Sequence, residues 1–208
     1  MKTLLLIFSC LLFGNSFSQQ DTIHIKHQYY TITYDTVMKV PVYTSYLLTK
    51  AQLVHHTPRS PKFTQDSLIS LNLQFKNSDY NNSGYDRGHL FADANNRFSA
   101  VAERDCMKMT NIAPQNKTFN EQLWKHVEDC ERDSATKYNS IEGVTGCVYG
   151  SNTRIKGIPV PTYYFKVVKL NGVFLAAWLG KNETPQSFDA TTILVSQSKI
   201  ESATKMKF

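Results

Sequence analysis

The chain has 208 residues, 41% of them hydrophobic and 19% charged, with a formal net charge of +6 and a pI near 9.1. That much apolar material suits one ordinary globular core and excludes a disordered or fibrous chain. The basic balance favours polyanionic partners without specifying one.

The N-terminus carries a positive Lys2, an apolar run over residues 4–13, and then Ser16-Phe17-Ser18, which puts small residues three and one positions before Gln19. This is the pattern of a cleavable secretory signal, so residues 1–18 are set aside and residues 19–208 are expected to form a single domain of an exported protein, periplasmic or extracellular. The run is too short to span a bilayer comfortably, and Cys10 lies inside it, which weakens a lipoprotein reading. Export permits disulfides. Cys106, Cys130 and Cys147 then allow one pair plus one buried thiol, with the pairing open.

Residues 30–48 alternate Tyr30, Ile32, Tyr34, Val40 and Val42 with polar positions, a strand pattern punctuated by Pro41. His55-His56 lacks an HExxH context, which leaves a zinc protease poorly supported. Residues 77–84 (NSDYNNSG) are polar and turn-forming. Residues 109–112 predict a short strand stopped by Pro114. Phe119, Leu123 and Val127 then mark a helical stripe, with Thr118 and Glu121 at capping-box spacing. Asn120, Trp124, Glu128 and Arg132 form a neighbouring stripe on that helix. Residues 145–149 predict a strand, and residues 162–170 and 173–179 predict a hairpin around Asn171-Gly172, a type I′ pair. Strands, a helix and strands again indicate an α+β domain with a central, mainly antiparallel sheet flanked by helices.

Two strings carry chemistry. In Tyr85-Asp86-Arg87-Gly88-His89 the imidazole can take a proton from water near neutral pH, and the arginine fork two residues away can bind phosphate. Gly88 permits close backbone approach or an unusual dihedral. In Thr110-Asn111-Ile112-Ala113-Pro114-Gln115, followed by Asn120, Trp124 and Glu128, helical spacing turns Asn120 and Glu128 toward one region. Their oxygens suit a hard cation such as Mg²⁺. Each residue alone also fits a bland role: His89 solvated in a turn, Asn111 and Gln115 satisfying turn backbone, Trp124 in the core, Glu128 on the surface.

Taken in order and spacing, DRGH, TNIAPQ and N-x3-W-x3-E resemble the DNA/RNA non-specific endonuclease family. Its members are ββα-metal (His-Me finger) nucleases and include bacterial sugar-nonspecific nucleases and mitochondrial endonuclease G. Pro41, Tyr46, Arg59, Thr145-Gly146, the strand region 161–168, Ile200-Glu201 and Phe208 also fit, so the resemblance spans residues 30–208. It implies a ββα-metal active-site motif and hydrolysis of phosphodiester bonds in DNA and RNA with little sequence preference. His89 would be the general base, and Asn120 the direct protein ligand of a single Mg²⁺, with Mn²⁺ as a substitute. Glu128 would position water of the cation's shell, and Arg59, Arg87 and Arg132 would meet phosphate charge. Asp86, Gly88, Asn111 and Gln115 would support the loop. The chain departs from the family at residues 90–96 (LFADANN), where Leu-Ala-Pro and small residues are usual, and at Cys147, where proline is common. Two other readings stay open: a phosphodiesterase on smaller substrates, and a secreted nucleic-acid-binding protein with weak turnover.

Overall fold

The computed structural model describes residues 22–54, 57–59 and 62–208; the signal segment and His55-His56 lie outside them. Three strands open the fold: β1 (Thr22–Lys26), β2 (Tyr30–Asp35) and β3 (Val40–Thr49). Pro41 sits inside β3 rather than ending it. It pairs with Tyr34 where the β2–β3 register shifts by one residue, and such a bulge tolerates the missing amide.

A polar loop leads to β4 (Tyr85–His89), then α1 (Ala100–Cys106), β5 (Ile112–Asn116) and α2 (Lys125–Tyr138), which is preceded without a break by a π-helical turn, Phe119–Trp124. The strand expected at 109–112 is corrected here. Met109–Asn111 is a 3-10 turn, and β5 runs through Pro114 instead of stopping there. Because β4 and β5 form their own two-stranded ribbon, the proline costs no ladder bond of the main sheet. The capping box is also corrected. Thr118 is already helical and its side chain makes no cap; Asn116 accepts from the Phe119 amide instead.

The chain continues through β6 (Ser140–Val148), the short pair β7 (Arg154–Ile155) and β8 (Ile158–Pro159), and the hairpin β9 (Tyr163–Leu170) and β10 (Val173–Lys181). Asn171 and Gly172, at φ 52° and 78°, make the left-handed turn that the Asn-Gly pair favours. β11 (Leu194–Val195) and α3 (Gln197–Thr204) follow. Among the described residues the main sheet is antiparallel with the order β1-β2-β3-β6-β9-β10-β11. Alternation along β9 explains both faces. Tyr164 and Val168 point into the core beneath α2, while Phe165 and Val167 meet Ile200 of α3.

Phe119, Leu123 and Val127 are buried as their spacing requires, and so is Trp124, which places the second stripe partly inside. Cys106 and Cys147 are buried, Cys130 is half-buried, and all three are free thiols, so no disulfide joins them.

The core face also holds a charge. Lys166, with no exposure, donates to Glu131 Oε2 at 2.9 Å, Tyr46 Oη at 2.8 Å and Thr145 Oγ1 at 2.7 Å. Glu131, equally buried, also accepts from Tyr46 at 2.5 Å and from Asn95 Nδ2 at 2.9 Å. All three ammonium protons are donated and both carboxylate oxygens accept, which is the condition for a buried pair to persist. Glu131→Leu should therefore cost about 3–5 kcal/mol by stranding the ammonium, and adding Lys166→Met should recover most of it. Urea denaturation of the single and double variants checks this; a single variant losing under about 1 kcal/mol contradicts it.

Candidate active site: a ribbon and a helix around one cleft

The ribbon sets the site's floor. Asp86 pairs with Gln115, Gly88 with Ala113 and His89 with Ile112. A Cβ on Gly88 would lie 2.6 Å from Gln115 Cβ and 2.2 Å from its Oε1. Close approach therefore fixes glycine here, and not a left-handed backbone. Gln115 is fully buried over that glycine, and neither amide atom has a hydrogen-bond partner among the described residues, so it acts as a spacer. Asn111 works differently. It accepts from the Phe91 amide and donates to the Phe91 and Cys106 carbonyls, pinning the segment that follows His89.

The His89 ring lies 5.4 Å from the Phe63 ring, tilted by 40°. Burial pushes its pKa down to about 4; Asp93 opposes and Arg59 reinforces that shift. The imidazole is thus neutral at physiological pH and able to accept a proton. Its Nε2 is enclosed without a partner among the described residues.

Asn120 lies on the first turn of the helical segment and donates from Nδ2 to Asp86 Oδ2 at 2.9 Å, which reserves its carbonyl oxygen. Glu128 follows on the same helix. Burial raises its pKa to about 7, against the lowering pull of Lys166 and Arg132. Arg132 stands 4.0 Å from Glu128, bonds Asp129 at 2.5 Å and donates to Asn95 at 3.1 Å. It braces Glu128 from behind and is absent from the cleft wall.

Arg59, Arg87, His89, Asp93, Asn120 and Glu128 line one open cleft of about 380 Å³. Five of these are sequence-predicted; Asp86, Gly88, Asn111, Gln115 and Arg132 stand behind them. Arg87 is fixed through Nε and Nη2 to Asn77 and Asn81, with the ring of Tyr80 5.4 Å away. Arg59 is freer. Half exposed, its Nε lies 3.6 Å from Asp93. Asp93 itself escaped the sequence reading. It pairs with Arg97 at 2.6 Å, an i,i+4 spacing that starts in the divergent segment 90–96 and was the available signal.

Among the described residues no three His, Cys, Asp or Glu side chains cluster closely enough to cage a metal. The cleft offers hard oxygens, the Asn120 carbonyl and the carboxylates of Asp93, Glu121 and Glu128, with Asp93 partly engaged by Arg97 and Arg59. That set fits Mg²⁺, which keeps most of its waters.

The profile of a family described as DNA/RNA non-specific endonuclease matches residues 11–208. Human mitochondrial endonuclease G is 32% identical over 125 residues, covering 54% of this chain and 42% of that protein. Mitochondrial nuclease 1 of Schizosaccharomyces pombe is 30% identical over 161 residues, covering 69% of this chain and 50% of its own. The chain thus spans about half the length of these relatives or less. A chain in the crystal structure of the EndoG/EndoGI complex superposes with a TM-score of 0.79 at 23% identity, covering 89% of this chain and 84% of that one, and shares the fold.

The raised Glu128 pKa makes a stability prediction. A carboxyl whose folded pKa exceeds its unfolded value costs nothing at pH 4 and destabilises progressively as pH rises from about 4.5 through about 7. Glu128→Gln should therefore raise the melting temperature at pH 8 in EDTA, by an amount corresponding to about 1–3 kcal/mol, and leave it unchanged at pH 4. Thermal melts at both pH values decide it; equal or lower stability of the variant at pH 8 contradicts the assignment.

Proposed function

This chain belongs to the DNA/RNA non-specific endonuclease family, and on that premise we propose that it is a divalent-cation-dependent endonuclease that hydrolyses phosphodiester bonds in DNA and RNA. The observation that carries the reading is the single cleft that joins a neutral histidine, two arginines and several oxygen donors.

His89 takes the proton of the attacking water as oxygen bonds to phosphorus; the bond to the 3′-oxygen breaks and that oxygen takes a proton from solvent water, giving 5′-phosphate and 3′-hydroxyl ends. Arg87, held rigid by the Asn77 and Asn81 loop, meets a non-bridging phosphate oxygen with its remaining Nη1. Arg59 adds a mobile second charge once phosphate competes with Asp93. Asn120 and Glu128 would hold a Mg²⁺ or Mn²⁺ ion. Such an ion supplies charge stabilisation to the transferring phosphoryl group. The cations in and around the cleft, Arg59, Arg87 and Lys125, would rest affinity on phosphate and not on base identity.

His89→Ala should lower single-turnover cleavage roughly a thousandfold with nucleic-acid binding retained, since both arginines remain. Asn120→Ala should be similarly slow but partly recovered by raised Mg²⁺ or Mn²⁺. Equal rescue of the two variants sinks the assignment, because added cation cannot replace a proton acceptor.

We also propose export, on the strength of residues 1–18. The relatives above carry mitochondrial names. Mass spectrometry of protein expressed with its full N-terminus should find a chain beginning at Gln19 outside the cytoplasm. An intact Met1 species retained inside overturns this.

A further inference from the structure

Beyond the catalytic cleft, on the far side of Arg87 and Asp86, lies a second concavity of about 510 Å³, lined by Tyr85, Asp86, Arg87, Lys117 and the loop at residues 80–84. It is the larger of the two, within the range of small-molecule sites. Its chemistry is polar and mixed. Lys117 is exposed and forms no ion pair among the described residues, so its charge is available. Tyr85 is half-buried and offers a ring. Asp86 uses only Oδ2 on Asn120, which leaves Oδ1 as an acceptor.

The loop is held rather than loose. Arg87 bonds Asn77 and Asn81, the Asn81 carbonyl accepts from Lys156 Nζ at 2.6 Å, and Ser83 Oγ meets both the amide and carbonyl of Tyr85. Arg87 lines both concavities, and Asp86, in the wall of the second, bonds Asn120 of the catalytic cleft, so the two adjoin at these side chains. A positive rim for phosphate, an aromatic face and acceptor and donor groups at the base are the elements of a nucleotide site. A duplex keeps its bases stacked inward, so only an unpaired base can enter beside a bound phosphate.

We propose that this concavity is a subsite for an unpaired nucleotide flanking the scissile phosphate, with Lys117 on its phosphate and Tyr85 against its base. The proposal rests on the nuclease reading above and adds to it a preference for single strands at the point of cleavage.

The test uses the full domain with Tyr85→Ala, Tyr85→Phe and Lys117→Ala. Fluorescence anisotropy in EDTA reads binding of a short labelled single strand and of the same sequence as a duplex. Hydrolysis of bis(p-nitrophenyl) phosphate with Mg²⁺ reads the chemistry of the catalytic cleft separately. Tyr85→Ala and Lys117→Ala should each weaken single-strand binding about tenfold, with Tyr85→Phe near parental and duplex binding within about twofold. Hydrolysis of the small diester should be unchanged in all three. Unchanged single-strand binding, or equal losses on single strand and duplex, overturns the subsite. A parental protein that binds single strands through Tyr85 but, with Mg²⁺, hydrolyses neither the small diester nor the labelled strands leaves the subsite standing and overturns the nuclease reading instead.

Discussion

A lysine with no contact to solvent has to be neutralised within the protein, and the fold is arranged around the way Lys166 is. Its partner, Glu131, comes from α2, and the remaining bonds come from Tyr46 on β3 and Thr145 on β6. One buried ion pair thus ties the helix to the middle of the sheet at a defined rotation. The same helical segment carries Asn120 and Glu128, so that rotation decides where the oxygen donors point. Asn95 extends the tie: it donates to Glu131 and accepts from Arg132, fixing the segment after His89 against the same helix. Removing one member would leave a charge stranded in an apolar layer, which is why the geometry is held so firmly.

The cleft inherits this rigidity and adds desolvation. Burial works on His89 and Glu128 in opposite chemical senses, lowering one pKa to about 4 and raising the other to about 7, and in both cases it disfavours the charged form. For His89 it keeps the imidazole neutral, while making it a weaker proton acceptor than an imidazole at its ordinary pKa. For Glu128 it stores an unfavourable charge that a cation would relieve. A cation bound there would therefore stabilise the site.

Much of the site was legible in the sequence because its residues are close in order. Asn120 and Glu128 lie on one helical segment, so periodicity turned them toward one region. Joining them to DRGH on its strand rested instead on the resemblance to the family, since no local pattern links strand to helix. The Asn-Gly hairpin was legible from its own local pattern. The failures have physical causes. Pro114 read as a stop, but a strand in a two-stranded ribbon needs no amide there. Thr118 had the right spacing for a cap, yet Asn116 took the role and the first helical turn widened to a π-turn. Lys166 is hidden among the apolar residues of β9, and its partners lie 21, 35 and 120 residues away, beyond any local pattern. Asp93, likewise, gains meaning only once Arg59 and Arg97 are brought beside it.

The central claim is that the cleft between the ribbon and α2 breaks internal phosphodiester bonds in either nucleic acid. Its most direct test is the parental protein incubated with supercoiled plasmid and, separately, with total RNA, in Mg²⁺ and in EDTA. The account predicts nicked circles first, then fragments, with RNA degraded in parallel and both reactions stopped by EDTA. Circular plasmid that persists in Mg²⁺ while linear DNA is eroded only from its ends would contradict it.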